Sequence, residues 1–406
     1  MISYAEARRI VAEVAAECFH KTPRKHERVA IEAARGRVLA EPLHADRDAP
    51  PFDRSTRDGF AVRAADVVSI PATLKFVGEI RAGAGFSGSV QAGECVQIMT
   101  GAAVPAGADS VVMIEHTELS AAAVVVQRSV QRGANVVQRG SEAKAGAQVL
   151  PAGQRLGIAD VSIAAQFGHD WLPMFARPRV GILSTGDEIV PVEQLPGPFQ
   201  IRNSNFISLA AQVALANGMP EPLGNAADER GALRQRIEEG LKCDALVLSG
   251  GVSMGKYDLV EAVLRDLGAE FRFDSVAIRP GKPAVFGLCR GKPVLGLPGN
   301  PVSTMVTFEL FGIPLVDVLS GAPPRPLALV KARARHPIRL KAPLTHFLPA
   351  KLNWEEGEAR VAELSWQGSG DVAALAGADC FLVVSETKLE FAAGDWVDVL
   401  PWRDRV

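Results

Sequence analysis

Cysteine is scarce and scattered in this chain. Its 406 residues include five, Cys18, Cys95, Cys243, Cys289 and Cys380, an odd number with no CxxC pair among them. That argues against a disulfide framework and offers no zinc-ligand spacing. The thiols read as reduced, small apolar groups of a cytoplasmic protein. The seven histidines form no ligand cluster and read as structural. An excess of one charge is also missing. Lys and Arg number 44 against 46 Asp and Glu, a net charge of −2. No basic stripe runs along the chain, so nucleic acid is not an expected partner. No uninterrupted apolar run is long enough to cross a bilayer, and the first residues lack the apolar segment of a signal peptide, so no membrane partner is expected either. No internal repeat is visible.

What is present is a globular composition, 48% hydrophobic and 22% charged. The length exceeds one ordinary core and implies two to four domains. Ile10, Val11, Val14 and Cys18 recur at helical spacing and predict an amphipathic opening helix. A second short helix is expected over 27–34. Pro50 and Pro51 then break regular structure. From 58 to about 150, short apolar runs alternate with Gly, Pro and Asp, the pattern of an all-β insert. A helix over 156–167, ended by Gly168, follows.

From 179 the pattern changes to strands alternating with helices: strand 179–184, helix 203–217, strand 221–225, helix 229–241, strand 244–248, helix 257–267, and strand 293–297 leading to helix 301–318. Such alternation implies a parallel sheet with right-handed crossovers. The stiff linker Pro323, Pro324, Arg325, Pro326 precedes a region of short strands and turns only, read as a small β-barrel or sandwich.

Ligands of open parallel sheets bind beyond the carboxyl ends of the strands. Four segments leave strands there: Ser184, Thr185, Gly186, Asp187 and Glu188; the turn reaching Asp228; the loop SGGVSMGKYD at 249–258; and the run from Pro298 through Gly299, Asn300 and Pro301 to Ser303. Ser249, Gly250, Gly251 and Ser253 form a Gly/Ser loop entering a helix, which suits an oxyanion. Pro301 suits a first helical turn and Asn300 an N-cap. Arg279 and Lys282, between prolines, add two cations near the same edge. Several loops are needed because a helix terminus contributes about 0.3–1 kcal/mol and a charge-assisted hydrogen bond about 1.5–3 kcal/mol, whereas micromolar binding needs about 8 kcal/mol. Glu188, Asp228 and Asp258 would repel an anion unless a divalent cation bridged them to it. Each segment alone is compatible with a plain turn; their order and spacing together are not easily met by chance.

Taken together, the chain resembles the molybdopterin molybdenumtransferase family (MoeA and gephyrin E-domain proteins). The resemblance rests on PFDRSTRDGFAV at 51–62, MTGA at 99–102, STGDE at 184–188, SGGVSMGKYD at 249–258, RPGKP at 279–283, LPGNPVS at 297–303 and QGSG at 367–370. It implies a multidomain α/β plus β fold: an elongated discontinuous domain at 1–50 and 141–177, an all-β insert at 51–140, a parallel-sheet molybdopterin-binding α/β domain at 178–322 and a β-barrel-like C-terminal domain at 327–406.

The resemblance also implies an activity, transfer of molybdenum from molybdate to adenylylated molybdopterin with release of AMP in the presence of Mg²⁺. It implies a homodimer, with Asp58 and Thr100 of one copy entering the cleft of the other, and a molybdopterin adenylyltransferase as a partner. Asp58, Glu188, Asp228 and Asp258 would be catalytic, the last three also holding the metal. Thr100, Thr185, Gly186, Ser249, Gly250, Gly251, Ser253, Arg279, Lys282, Pro298, Asn300, Pro301 and Ser369 would bind substrate. This chain departs from the family pattern at Arg57, Glu142, Arg279 and Asp371, and around Phe347, where arginines are usual; Lys351 and His346 are the nearby cations that could stand in. A molybdopterin adenylyltransferase and a non-catalytic cofactor scaffold are the alternative readings.

Overall fold

The computed structural model describes residues 1–22, 25–120, 122–251 and 259–403. The opening helix runs Tyr4–Lys21, starting where the Ser3 hydroxyl accepts from the Glu6 N–H at 3.2 Å. It buries Ala7, Val11, Val14, Ala15 and Cys18, the face its spacing predicts. No helix forms over 27–34. Strand His26–Ala30 pairs antiparallel with Trp171–Phe175, and a short 3₁₀ turn, Ile31–Ala33, follows. Weak local helical preference yields here to a long-range strand partner. Leu43–His44 pairs with Gln148–Leu150 in the same way. The helix expected over 156–167 runs Ile158–Gln166, with Gly168 just past its end at φ 76°.

The insert is a six-stranded sheet in the order Ser110–Met113, Gly59–Val62, Glu94–Ile98, Ala72–Ile80, Ala123–Val126, Thr117–Ser120. Gly59 opposes Ile98 in the ladder, so the residues flanking those two strands, Asp58 and Thr100, share one end of the sheet. Only glycine fits at 59, because a Cβ there would lie 1.9 Å from the Val112 carbonyl oxygen.

The α/β region has a six-stranded sheet in the order Met219–Ala226, Arg179–Thr185, Ala245–Ser249, Lys292–Leu297, Val285–Cys289, Glu270–Phe273. The first four strands pair in parallel, and Val285–Cys289 then runs antiparallel to both its neighbours, Lys292–Leu297 and Glu270–Phe273. The expected parallel pattern stops there because Val285–Cys289 and Lys292–Leu297 are joined by a two-residue turn. Arg290 and Gly291 both take positive φ, 50° and 74°, the geometry that reverses a hairpin.

In the C-terminal part, Thr345–Glu355 pairs with Glu358–Glu363 on one side and Cys380–Val384 on the other. Val330–Ala334 and Trp396–Pro401 complete the ring, closing a five-stranded barrel. The region is not only strands and turns. Helix Val372–Gly377 sits in it, started by Asp371, whose carboxylate accepts from Ala374 N–H at 3.0 Å. Ile278–Arg279 adds a parallel strand to the barrel edge, tying it to the α/β region. All five cysteines are buried and unbridged.

The stretch Pro301–Leu319 is helical throughout, an α-helix, a π-helical turn at Phe308–Gly312 and a second α-helix. Its 19 residues, with mean hydropathy 1.6, are long and apolar enough to cross a membrane by composition, although Ser303, Thr304, Thr307, Glu309 and Pro314 interrupt the apolar run in the sequence. In the fold 89% of that window is buried, so protein covers it. Near its end, Asp317 is fully buried. It accepts from Arg155 Nη2 at 2.9 Å, from the Arg325 N–H at 2.9 Å and from Arg325 Nε at 3.0 Å. Arg155 Nη1 also reaches the Gly36 carbonyl at 2.8 Å, and the Arg325 carbonyl accepts from Arg8 Nη2 at 2.9 Å.

Removing Asp317 would strand two guanidinium groups beside a buried wall. Asp317→Ala is expected to cost about 3–5 kcal/mol, read as a lower midpoint in urea denaturation, whereas breaking the exposed pair Arg9–Glu13 (Glu13→Ala) should shift it by well under about 1 kcal/mol.

Candidate active-site cleft

Strands Arg179–Thr185, Ala245–Ser249 and Lys292–Leu297 end level with one another, since Ser184 pairs with Ser249 and Ser249 with Leu297. The loops that leave them therefore meet at one edge, around a cleft of 520 Å³. Thr185, Gly186, Glu188, Asp228, Ser249, Gly250, Gly251, Pro298, Asn300 and Pro301 all line it, as their spacing predicts. Ser253 and Asp258 lie outside the described residues.

Backbone geometry dictates the Gly250–Gly251 pair. Both take positive φ, 93° and 63°, and a Cβ at 250 would stand 2.8 Å from the Thr185 carbonyl oxygen. The Gly250 N–H donates back to Leu297 O at 3.1 Å, locking the loop to the sheet edge. Pro301 opens the helix Pro301–Thr307 at its first position. Asn300 holds the N-cap position, but its side chain does not cap the helix. Nδ2 instead donates to Ser369 Oγ at 2.9 Å, and the Val302 N–H donates to Ser369 O at 2.9 Å. The expected local cap is thus replaced by a bridge to the C-terminal region.

A second cavity of 770 Å³ adjoins the first and shares Pro283, Pro298, Asn300 and Gly370 with it. Arg279, Lys282, Ser303 and Ser369 line this end. Among the described residues neither Arg279 nor Lys282 has a carboxylate partner, so both charges are available to an anion. Lys351 and His346 do not stand in for the absent arginines. Lys351 pairs with Asp379 at 3.2 Å, and His346 is buried with Nε2 3.0 Å from the Ala342 carbonyl.

The opposite end is acidic. Asp187 Oδ1 accepts from the Asp228 N–H at 3.1 Å, which holds the two acidic loops together. Although Asp228 is open at the cleft rim, its carboxyl titrates above the usual range, through partial desolvation first and then the charges of Asp187 and Glu188. Among the described residues no three His, Cys, Asp or Glu side chains are grouped to hold a metal alone. Asp58 and Thr100 are not in the cleft. Thr100 donates to Asp58 Oδ1 through its N–H at 2.6 Å and its hydroxyl at 2.8 Å, which pulls that carboxyl below its usual range. The pair is exposed on the insert.

Two asparagines went unassigned in the sequence. Asn203 Oδ1 accepts from Ser184 Oγ at 3.0 Å and from the Phe206 N–H at 3.1 Å, capping helix Ser204–Leu215. Asn205 Nδ2 donates to Ser249 Oγ at 2.8 Å and to Gly299 O at 2.7 Å, tying three loops together. The signal was the Asn203, Ser204, Asn205 cluster at a helix start, which marks a cap but not a tie to two other loops.

Three family models match the chain: "MoeA N-terminal region (domain I and II)" over residues 2–168, "Probable molybdopterin binding domain" over 181–318, and "MoeA C-terminal region (domain IV)" over 331–402. The chain is 34% identical over 397 residues to a molybdopterin molybdenumtransferase of Bacillus subtilis (strain 168), covering 95% of this chain and 92% of that one. It is 39% identical over 303 residues to a protein of the same name from a Nostoc species, covering 73% and 70%. Among solved structures, it is similar to two molybdopterin biosynthesis MoeA proteins of Pyrococcus horikoshii. One has a TM-score of 0.75 at 31% identity, covering 99% of both chains. The other has a TM-score of 0.82 at 27% identity, covering 99% of this chain and 100% of that one.

The raised Asp228 carboxyl has a testable sign. The unfolded chain releases this proton first as pH rises, so the folded state loses stability between the unfolded and folded values and does not regain it above them. Without added divalent cation, Asp228→Asn should therefore melt above the wild type at pH 7. The gap should close once the pH falls below the unfolded carboxylate value; thermal melts at both pH values check this.

Proposed function

The chain belongs to the molybdopterin molybdenumtransferase family, and on that premise we propose that its cleft inserts molybdenum into molybdopterin in cofactor biosynthesis. The observation that carries this reading is a groove with carboxylates at one end and, at the other, two cations that have no carboxylate partner among the described residues. An oxyanion such as molybdate needs cations that no protein carboxylate already occupies. Arg279 and Lys282, with the Ser369 region beside them, meet that need. Ser249, Gly250 and Gly251 would offer backbone to a phosphate, and Thr185 and Val260 stand too close for a Cβ at 250 or 251. A pterin phosphate at that loop would lie between the two ends.

The donor chemistry suits a divalent cation. Glu188 and Asp228 are hard oxygen ligands on one wall, and Asp228 is held in an unfavourable ionised state that a cation would relieve. Mg²⁺ uses one or two carboxylates and completes its shell with substrate phosphates and water. Bound there, Mg²⁺ would neutralise charge on a cleaving pyrophosphate. We take the substrate to be adenylylated molybdopterin, with AMP released, so a molybdopterin adenylyltransferase must supply it. The adenylyltransferase reading for this chain itself is not favoured, because the family match continues through the insert and the C-terminal barrel.

Asp58 supports a dimeric site. Held ionised by Thr100 and exposed outside its own chain's cleft, it would be free to act on a second copy. Its electrostatic state suits a fixed anion. Buried free thiols agree with a reducing, cytoplasmic setting.

The wild-type chain incubated with adenylylated molybdopterin, molybdate and Mg²⁺ should release AMP; no release under those conditions rejects the insertase. Asp58→Asn and Glu188→Gln should each bind substrate and fail to turn over. Mixed and reassembled, the two variants should regain about a quarter of wild-type activity, since half the dimers are mixed and each carries one intact site. No recovery would place Asp58 on its own chain's reaction or outside it.

A further inference from the structure

A flat heterocycle gains most from an aromatic face laid against it. Among the described residues the 520 Å³ cleft has no aromatic side chain in its lining, and the adjoining 770 Å³ cavity has one, Trp366. Its indole is held in place. Nε1 donates to Glu363 Oε1 at 3.3 Å, and the side chain packs against both the barrel core and the core that joins the barrel to the α/β region. It is nevertheless only half-buried, and it also lines a separate 450 Å³ pocket of the barrel beside Glu363 and His336. An aromatic side chain fixed before the ligand arrives loses little freedom on binding.

The same cavity carries Arg279, Lys282 and Ser369, and Ser369 is tied to Asn300 at the junction with the cleft. A ring platform therefore shares a chamber with the two cations. The proposed substrate has two flat ring systems. Adenine is attached beyond the pyrophosphate, toward the acidic end where Glu188 and Asp228 stand. The pterin lies on the other side of the phosphates, toward Trp366.

We infer that Trp366 is a specificity-determining residue that stacks on the pyrimidinone ring of the pterin. The inference rests on the functional reading above and deepens it, because it sets the pterin in the cation-bearing cavity and leaves adenine to the other end. Glu363 and the two cores hold the indole, and the indole holds the ring.

Calorimetric titration with 2-amino-4-oxopteridine and with AMP, Mg²⁺ present, tests this. The wild-type chain should bind both. Trp366→Leu should bind the pteridine about tenfold more weakly and AMP as the wild type does, so AMP reports an intact cleft. Trp366→Phe keeps a ring and gives up the Glu363 contact, and should stay within about threefold of the wild type for the pteridine. Unchanged pteridine binding in Trp366→Leu overturns the inference alone. So does Trp366→Phe that binds as weakly as Trp366→Leu, since the ring would then not be what matters. Equal loss of both probes in Trp366→Leu overturns it by showing a residue that only shapes the cavity, and a loss confined to AMP assigns the indole to adenine instead. A wild type that fails to bind the pteridine or AMP sinks the functional reading as well.

Discussion

The buried carboxylate of Asp317 is the point on which the arrangement of this chain turns. It faces guanidinium groups from two distant segments, Arg155 and Arg325. Arg155 belongs to the stretch that packs by Leu39 and Leu156, and Arg325 to the linker before the barrel. A carboxylate without those partners could not be left charged inside the fold. The same continuous helix that carries Asp317 near its end begins at Pro301, in the cleft. One end of this 19-residue helical stretch thus lines the cleft, and the other holds Arg155 and Arg325.

The cleft in turn depends on close approach. The parallel strands end at one level, so three loops compete for the same space, and only glycine at 250 and 251 lets the Thr185 strand end and the Gly/Ser loop lie side by side. Side-chain amides then fix the spacing between loops. Asn205 spans Ser249 and Gly299, and Asn300 spans to Ser369. Once these distances are held, the charges separate: acids at the Asp187, Glu188 and Asp228 rim, bases at Arg279 and Lys282. Opposite charges that do not neutralise each other within the protein remain free to act on a ligand.

Much of this was legible in the residues alone. Strand–helix alternation and the turn-rich Gly and Pro signals placed Thr185, Gly250, Pro298 and their neighbours at one sheet edge before any coordinates. What escaped was decided by partners far away in sequence. His26–Ala30 is a strand because Trp171–Phe175 lies beside it. The Val285–Cys289 strand reverses because two adjacent residues, Arg290 and Gly291, adopt positive φ, which an alternation pattern cannot register. Asn300 looks like a cap by position, but Ser369 takes its amide. Asn205 is unremarkable in sequence, since its two partners come from loops 44 and 94 residues away. The long core helix was hidden by polar residues that the fold buries, as Thr304 and Thr307 turn their hydroxyls onto the carbonyls of their own helix or the loop before it.

Two acidic groups, at separate places, are tuned in opposite directions. Asp58 accepts two hydrogen bonds from Thr100 and stays an anion to well below neutral pH. Asp228, partly desolvated and facing two like charges, resists ionisation. The difference comes from donors, not from residue type. A carboxylate satisfied by a neighbour's N–H and hydroxyl has little left to gain from a cation, whereas one surrounded by other acids gains most from it. Groups whose environments push their titration apart are suited to different tasks. In this chain the cation-hungry acid sits at the cleft rim and the satisfied one stands outside it on the insert. For both to act on one substrate, as the dimeric reading proposes, a surface of the insert would have to meet a cleft.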